Sequence, residues 1–174
     1  MTDLDAPLTK PQLGRTPGRM LLEDRDSFRL ASERLVVQAA RQIEIFSYDL
    51  DAPVYDQIPI LDAFKSLALH SRFSRLRILL QNNERVRLQG HRLLELIRRL
   101  PSRIEIRRPH ADYVDNLENF LVVDRMGYVR RPIHSRYQGE GNFNAPAEAA
   151  KLSDFFAEVW ECSEPDSQLR LLHL

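Results

Sequence analysis

Residues 117–124, Leu117-Glu-Asn-Phe-Leu-Val-Val-Asp124, decide how the rest of the chain is read. An apolar run from Phe120 to Val123 with polar residues on both sides has the pattern of a short strand buried on both faces, so it belongs inside a sheet. Asp124 closes it with a carboxylate, and a second strand-like run, Gly127-Tyr-Val-Arg-Arg131, follows directly. Two such runs joined by a short turn pair as a hairpin.

Upstream of the hairpin, helical and strand periodicities alternate. A helix is expected from Asp26 or Ser27, either of which can cap it, to about Gln42, with Phe28, Leu30, Ala31, Leu35, Val36 and Ala39 on its apolar stripe. The strand Ile43–Tyr48 follows and runs into Asp49 and Asp51. Two carboxylates beyond a strand's carboxyl end stand where open α/β sheets place ligands, and they serve equally as turn and capping residues. A second helix is expected over about 57–72, tolerating Pro59 in its first turn. The nearly all-apolar strand 76–81 ends in the amides Gln81, Asn82 and Asn83. A third helix over 86–99 turns Leu88, Leu93, Leu94 and Ile97 inward, Pro101 and Ser102 stop it, and a strand follows over 103–107.

Downstream, the pattern changes. After the loop 109–116 and the hairpin comes a strand or irregular segment near 133–138, and Gly139, Gly141, Asn142 and Asn144 mark a loop. A helix over 146–161 carries Ala150, Leu152, Phe155, Phe156, Val159 and Trp160 and must pack on the sheet. The order βαβαβ, then βββ, then α gives an α/β fold with a mixed β-sheet flanked by helices. Residues 1–22, rich in Pro and Gly, are expected as a flexible N-terminal tail, 23–163 as the α/β domain, and 164–174 as a C-terminal tail that adds an edge segment or docks on a partner.

At 174 residues the chain fits one domain with a single core. Its 25 basic and 25 acidic residues cancel, so no global field draws in nucleic acid or an anionic membrane. Arg greatly outnumbers Lys, present only as Lys10, Lys65 and Lys151; GC-rich coding accounts for that as well as any preference for phosphate or carboxylate. The lone Cys162 excludes an internal disulfide and an all-cysteine metal site. No apolar run is long enough to span a bilayer, and the opening residues lack a signal peptide's basic start and apolar centre, so the expected location is the cytoplasm, without membrane contact.

The segment ending in Asp124 resembles the signature of the phospholipase D superfamily, His-x-Lys, four residues, then Asp. In that register the nucleophilic His falls on Leu117 and the Lys on Asn119. The resemblance covers about 24–162 by element order and 117–124 by motif. It implies one half of a phospholipase D-like fold, a homodimer that completes it, and a degenerate site at Leu117, Asn119 and Asp124 without phosphodiesterase activity. Similar bacterial domains are sometimes joined to acetyltransferases, which makes an acetyltransferase domain or chain an expected partner.

Three roles follow. In the first, the domain is a non-catalytic binding or scaffolding module that holds a phosphorylated ligand or another anion. Its candidate residues are Arg107, Arg130, Arg131 and Arg136, beside Arg108, with Asn119, Asn142 and Asn144; the bland alternative pairs these arginines with Glu105, Glu118 and Asp124. In the second, His-based phosphotransfer or hydrolysis has moved to His110 and His134 with Asp124, while His91 is expected exposed on a helix. In the third, Tyr113, Tyr128, Tyr137 and Phe143 serve a nucleic-acid-binding module. No His-Glu-x-x-His, Gly-x-Gly-x-x-Gly, Gly-Lys-Ser/Thr or Gly-x-Ser-x-Gly pattern occurs, so no metal or cofactor is expected.

Overall fold

The structure, a computed structural model, describes residues 10–171. Its centre is an eight-stranded mixed sheet of order β1-β7-β6-β5-β2-β3-β4-β8. The strands are β1 (Met20–Leu22), β2 (Gln42–Ser47), β3 (Arg75–Leu80), β4 (Ile104–Arg108), β5 (Asn119–Val123), β6 (Gly127–Arg131), β7 (Gly139–Asn142) and β8 (Glu164–Pro165). β2, β3 and β4 run parallel, as their helical crossovers require, whereas β5 lies antiparallel to β2 and forms a hairpin with β6.

Alternation along the central strands divides the core. Ile43, Ile45, Leu121 and Val123 face one side, under helices α1 (Arg25–Val36), α2 (Ala52–Tyr55), α3 (Ile58–His70), α4 (Glu84–Gln89) and α5 (Leu93–Arg99). Phe46, Phe120 and Val122 face the other side, under α6 (Pro146–Glu161). Both faces are therefore covered, and Phe120–Val123 are fully buried as their unbroken apolar run requires. Phe46 and Phe120 stack at 5.4 Å between ring centroids beneath α6.

Several expected boundaries move. Asp24, not Asp26 or Ser27, caps α1: it accepts from the Ser27 amide at 2.7 Å, while the Ser27 hydroxyl accepts from the Asp24 amide. α1 ends at Val36 rather than near Gln42, since residues 37–41 form the turn into β2. The helix expected over 86–99 is two helices, broken at Gly90, whose φ of 75° no helix accepts. Leu88, expected inside, is 76% exposed. Gly139–Asn142, expected as a loop, is a strand paired with both β1 and β6.

The chain before residue 23 is also packed where it is described. β1 forms the sheet edge, Gln38 accepts from the Leu13 amide and donates to the Pro11 carbonyl, and the Gly14 amide bonds to Phe143. At the other end β8 pairs with β4, and α7 (Ser167–Leu171) brings Leu169 into the core. Residues 1–9 and 172–174, the remainder of the two expected tails, lie outside the described residues. No helix among the described residues is long and apolar enough to cross a membrane.

Candidate functional site

The carboxyl ends of β2 and β3, the start of β5 and the end of β6 meet at one edge of the sheet. The turn after β2 is unusual: Leu50 is fully buried with φ 59°, a conformation that a branched side chain adopts only when its surroundings hold it there. The Ser47 hydroxyl accepts from the Leu50 amide at 3.0 Å, and the His91 imidazole bonds to the Leu50 carbonyl at 3.1 Å. His91 is thus a buried strut rather than the exposed helical residue expected, and burial lowers its pKa.

This turn aims Asp51 inward. Asp51 pairs with Arg131 at 3.0 Å and accepts from the Tyr137 hydroxyl at 2.9 Å. The Arg131 guanidinium lies over the rings of Tyr137 and Phe28, at 4.6 and 5.6 Å from their centroids. Burial raises the Asp51 pKa, opposed by the guanidinium and the phenol. Asn119 is buried beside the cluster, and its side-chain carbonyl accepts from the Tyr48 amide at 2.9 Å. The cavity that Asn119 shares with Asp51, Tyr55 and Arg131 measures only about 20 Å³.

The outer layer of the edge is built on Tyr48. The His134 imidazole stacks on its ring at 3.9 Å, and Asn82 donates to its hydroxyl at 3.2 Å. Burial lowers the His134 pKa, opposed by the Asp49 carboxylate. Asp49 pairs with Arg85 at 3.1 Å. Leu117 precedes β5, is 53% exposed, and accepts from the His134 amide through its carbonyl at 2.7 Å.

The remaining candidates do not converge. Asp124 sits at the opposite edge, the full length of β5 from Asn119, roughly 17 Å at about 3.4 Å per residue. Its carboxylate caps the turn into β2, accepting from the amides of Ala40, Arg41 and Gln42, each at 2.8 Å. It therefore cannot work beside His110 or His134. Arg107 pairs with Glu105 at 3.4 Å and lies over Trp160, and Arg130 pairs with Glu118. Arg136 is exposed beyond the cluster, and Asn142 is engaged by the Asn144 amide in the turn after β7. Instead of grouping around one anion, Arg107, Arg130 and Arg131 each pair with a different carboxylate, Glu105 on the same strand, Glu118 just before β5 and Asp51 after β2.

His110 caps a short turn of residues 111–113 by accepting from the Asp112 amide at 3.2 Å. It lines a cavity of about 300 Å³ with Arg108, Cys162 and Glu164, which His134 does not reach. No group of three or more metal-ligating side chains comes together among the described residues. Sequence reading did not connect Tyr137 with Asp51, since nothing in either local pattern marks a contact made across the fold.

A family model described as a domain of unknown function (DUF7931) matches residues 3–172. None of the curated proteins compared with the chain matches it. Among solved structures, TrmBL2, an archaeal chromatin protein described as showing a novel mode of DNA binding, superposes with a TM-score of 0.65 and 16% identity, over 94% of this chain and 59% of its own. This chain thus spans about three fifths of that protein. The phospholipase D family member Nuc from Salmonella typhimurium gives 0.61 and 14%, over 86% of this chain and 98% of its own. NucT from Helicobacter pylori gives 0.61 and 12%, over 86% and 99%. The likeness establishes a phospholipase D-like fold.

Proposed function

The chain belongs to the family described as a domain of unknown function, DUF7931, and for this member we propose a non-catalytic phospholipase D-like module that acts by binding or scaffolding, as a homodimer. The observation that carries this reading is the closure of the site around Asn119, between β2, β5 and β6, by the chain's own side chains. A cavity of about 20 Å³ beside Asn119 has room for at most a single water, so a phosphate cannot enter it. The one buried guanidinium bordering it, Arg131, is already neutralised by Asp51. In the register that the superfamily resemblance implies, Leu117 and Asn119 occupy the His and Lys positions; neither can attack phosphorus or supply a cation.

Leu117 and Ile133 support a dimer across this edge. They are 53% and 36% exposed, and the bond from the His134 amide to the Leu117 carbonyl holds their segments together. The superfamily resemblance names the further partner to seek, an acetyltransferase domain or chain.

The test is incubation of the purified chain with bis(p-nitrophenyl) phosphate, together with sedimentation equilibrium at micromolar concentration. The expected results are no nitrophenol release above buffer, and a dimer that Leu117→Asp converts to monomer. Turnover that disappears in His134→Ala or His110→Ala would overturn the non-catalytic reading in favour of relocated histidine chemistry.

A further inference from the structure

The opposite edge of the sheet carries a second, unrelated feature. Arg41, Arg75 and Arg103 stand side by side at the amino ends of β2, β3 and β4. The Arg75 amide bonds to the Arg41 carbonyl at 3.1 Å, and the Leu76 amide to the Arg103 carbonyl at 2.9 Å. Neighbouring strands lie about 4.8 Å apart, so the three backbones form a straight row roughly 10 Å long. The α3–β3 turn adds Arg72 and Phe73 to it. Phe73 is 73% exposed, and the Arg72 guanidinium lies 4.6 Å from its ring centroid.

Among the described residues, none of these four arginines is paired with a carboxylate, in contrast to Arg107, Arg130 and Arg131. Two of them are held in place by backbone carbonyls: Arg75 donates to Arg72 and Ser74, both at 2.8 Å, and Arg103 to Ser71 at 2.9 Å. Such bonds fix a guanidinium without cancelling its charge, leaving its other donors for a ligand. The Asp124 carboxylate, at the same end of the sheet, faces the amides of Ala40, Arg41 and Gln42. The adjoining Arg125 is paired with Asp154. A chain of zero net charge therefore concentrates unpaired positive charge along one edge.

We propose that this edge binds single-stranded nucleic acid, with the arginine row tracking consecutive phosphates and Phe73 providing a platform on which a base stacks. A linear cationic track beside an exposed aromatic is the combination that single strands recognise. A lipid surface would need a broad apolar face, whereas beside Phe73 the large exposed apolar side chains of this end are Leu69 and Val37, at 61% and 56% exposure, set among arginines. The reading is independent of the closed carboxyl edge, and either can fail without the other.

The experiment is fluorescence anisotropy of a fluorescein-labelled oligothymidylate of about 20 nucleotides, titrated with the full chain. Four phosphate contacts on a single strand give a salt slope of about −2.8, so affinity should fall roughly 50-fold between about 50 and about 200 mM salt. Arg41→Glu/Arg72→Glu, at exposed positions, should weaken binding roughly 10-fold or more, and Phe73→Ala roughly 5-fold or more. Arg87→Glu, exposed on α4, should bind as wild type, and circular dichroism should show every variant folded. The proposal is overturned by absence of binding at the lower salt, by full binding in the double variant, or by equal loss in Arg87→Glu. Preferential binding to phosphatidylserine vesicles over the oligonucleotide would overturn it in favour of a membrane surface.

Discussion

Arg131 and Asp51 meet at 3.0 Å with side chains only 6% and 7% exposed. The pair joins the end of β6 to the turn after β2 and ties in Tyr137 from the following loop. A pair buried this deeply repays little of its desolvation cost, so its clearest consequence is geometric: it closes the site beside Asn119.

Removing one partner should cost far more than removing both. Asp51→Ala leaves a buried guanidinium without its carboxylate and should destabilise the chain by about 3–5 kcal/mol. Asp51→Leu with Arg131→Met removes both charges and should recover most of that loss. Urea denaturation of the two variants measures the difference, and equal destabilisation would show that the charges themselves matter little.

Glu44 should make the domain less stable as pH rises. It is buried under α6, where its carboxylate accepts from Ser153 at 2.8 Å and Gln42 at 2.7 Å. Burial dominates and raises its pKa above 4.5, although Ser153, Arg77 and Arg125 oppose the shift. The folded state then holds this proton more tightly than the unfolded state. The favourable contribution is present below the unfolded pKa and is lost as pH rises through the folded one. Glu44→Gln, which keeps an acceptor for Ser153, should show a smaller decline in urea midpoint from acidic to neutral pH than wild type.

Asp124 should prove a structural residue. Asp124→Ala strands three amides of the 40–42 turn and should cost about 1–3 kcal/mol, with Asp124→Asn closer to wild type because its carbonyl oxygen still accepts. Thermal melts of the two variants decide this, and identical melting points for Asp124→Ala and wild type would contradict the capping role.

Gly139 is required by close packing in the sheet. A Cβ there would collide with the Arg130 carbonyl on β6. Gly139→Ala should therefore destabilise by more than about 2 kcal/mol, whereas Gly90→Ala meets no neighbouring atom and strains only its own backbone. Comparing the two urea midpoints tests whether β7 is the paired strand described.

The central fold was legible because its signals are local. The apolar run 120–123, the alternation around Ile43 and Ile45, and the stripe of the 146–161 helix each announce an element within a few residues. β7 was hidden because two glycines in four residues offer no side-chain alternation and read as a turn. The break at Gly90 and the burial of His91 were hidden because the surrounding leucines continue a helical pattern across them. Asp49 and Asp51 were visible at a strand's carboxyl end. Their separate fates, an outer pair with Arg85 and an inner pair with Arg131, depend on contacts made only by folding.

The measurement that bears most directly on the closed edge is a crystal structure of the chain soaked in phosphate. The expected result is an intact Asp51–Arg131–Tyr137 cluster with no anion between Asn119 and Arg131. An anion bound by Arg131, with Asp51 displaced, would contradict the closure and restore the carboxyl edge as a ligand site.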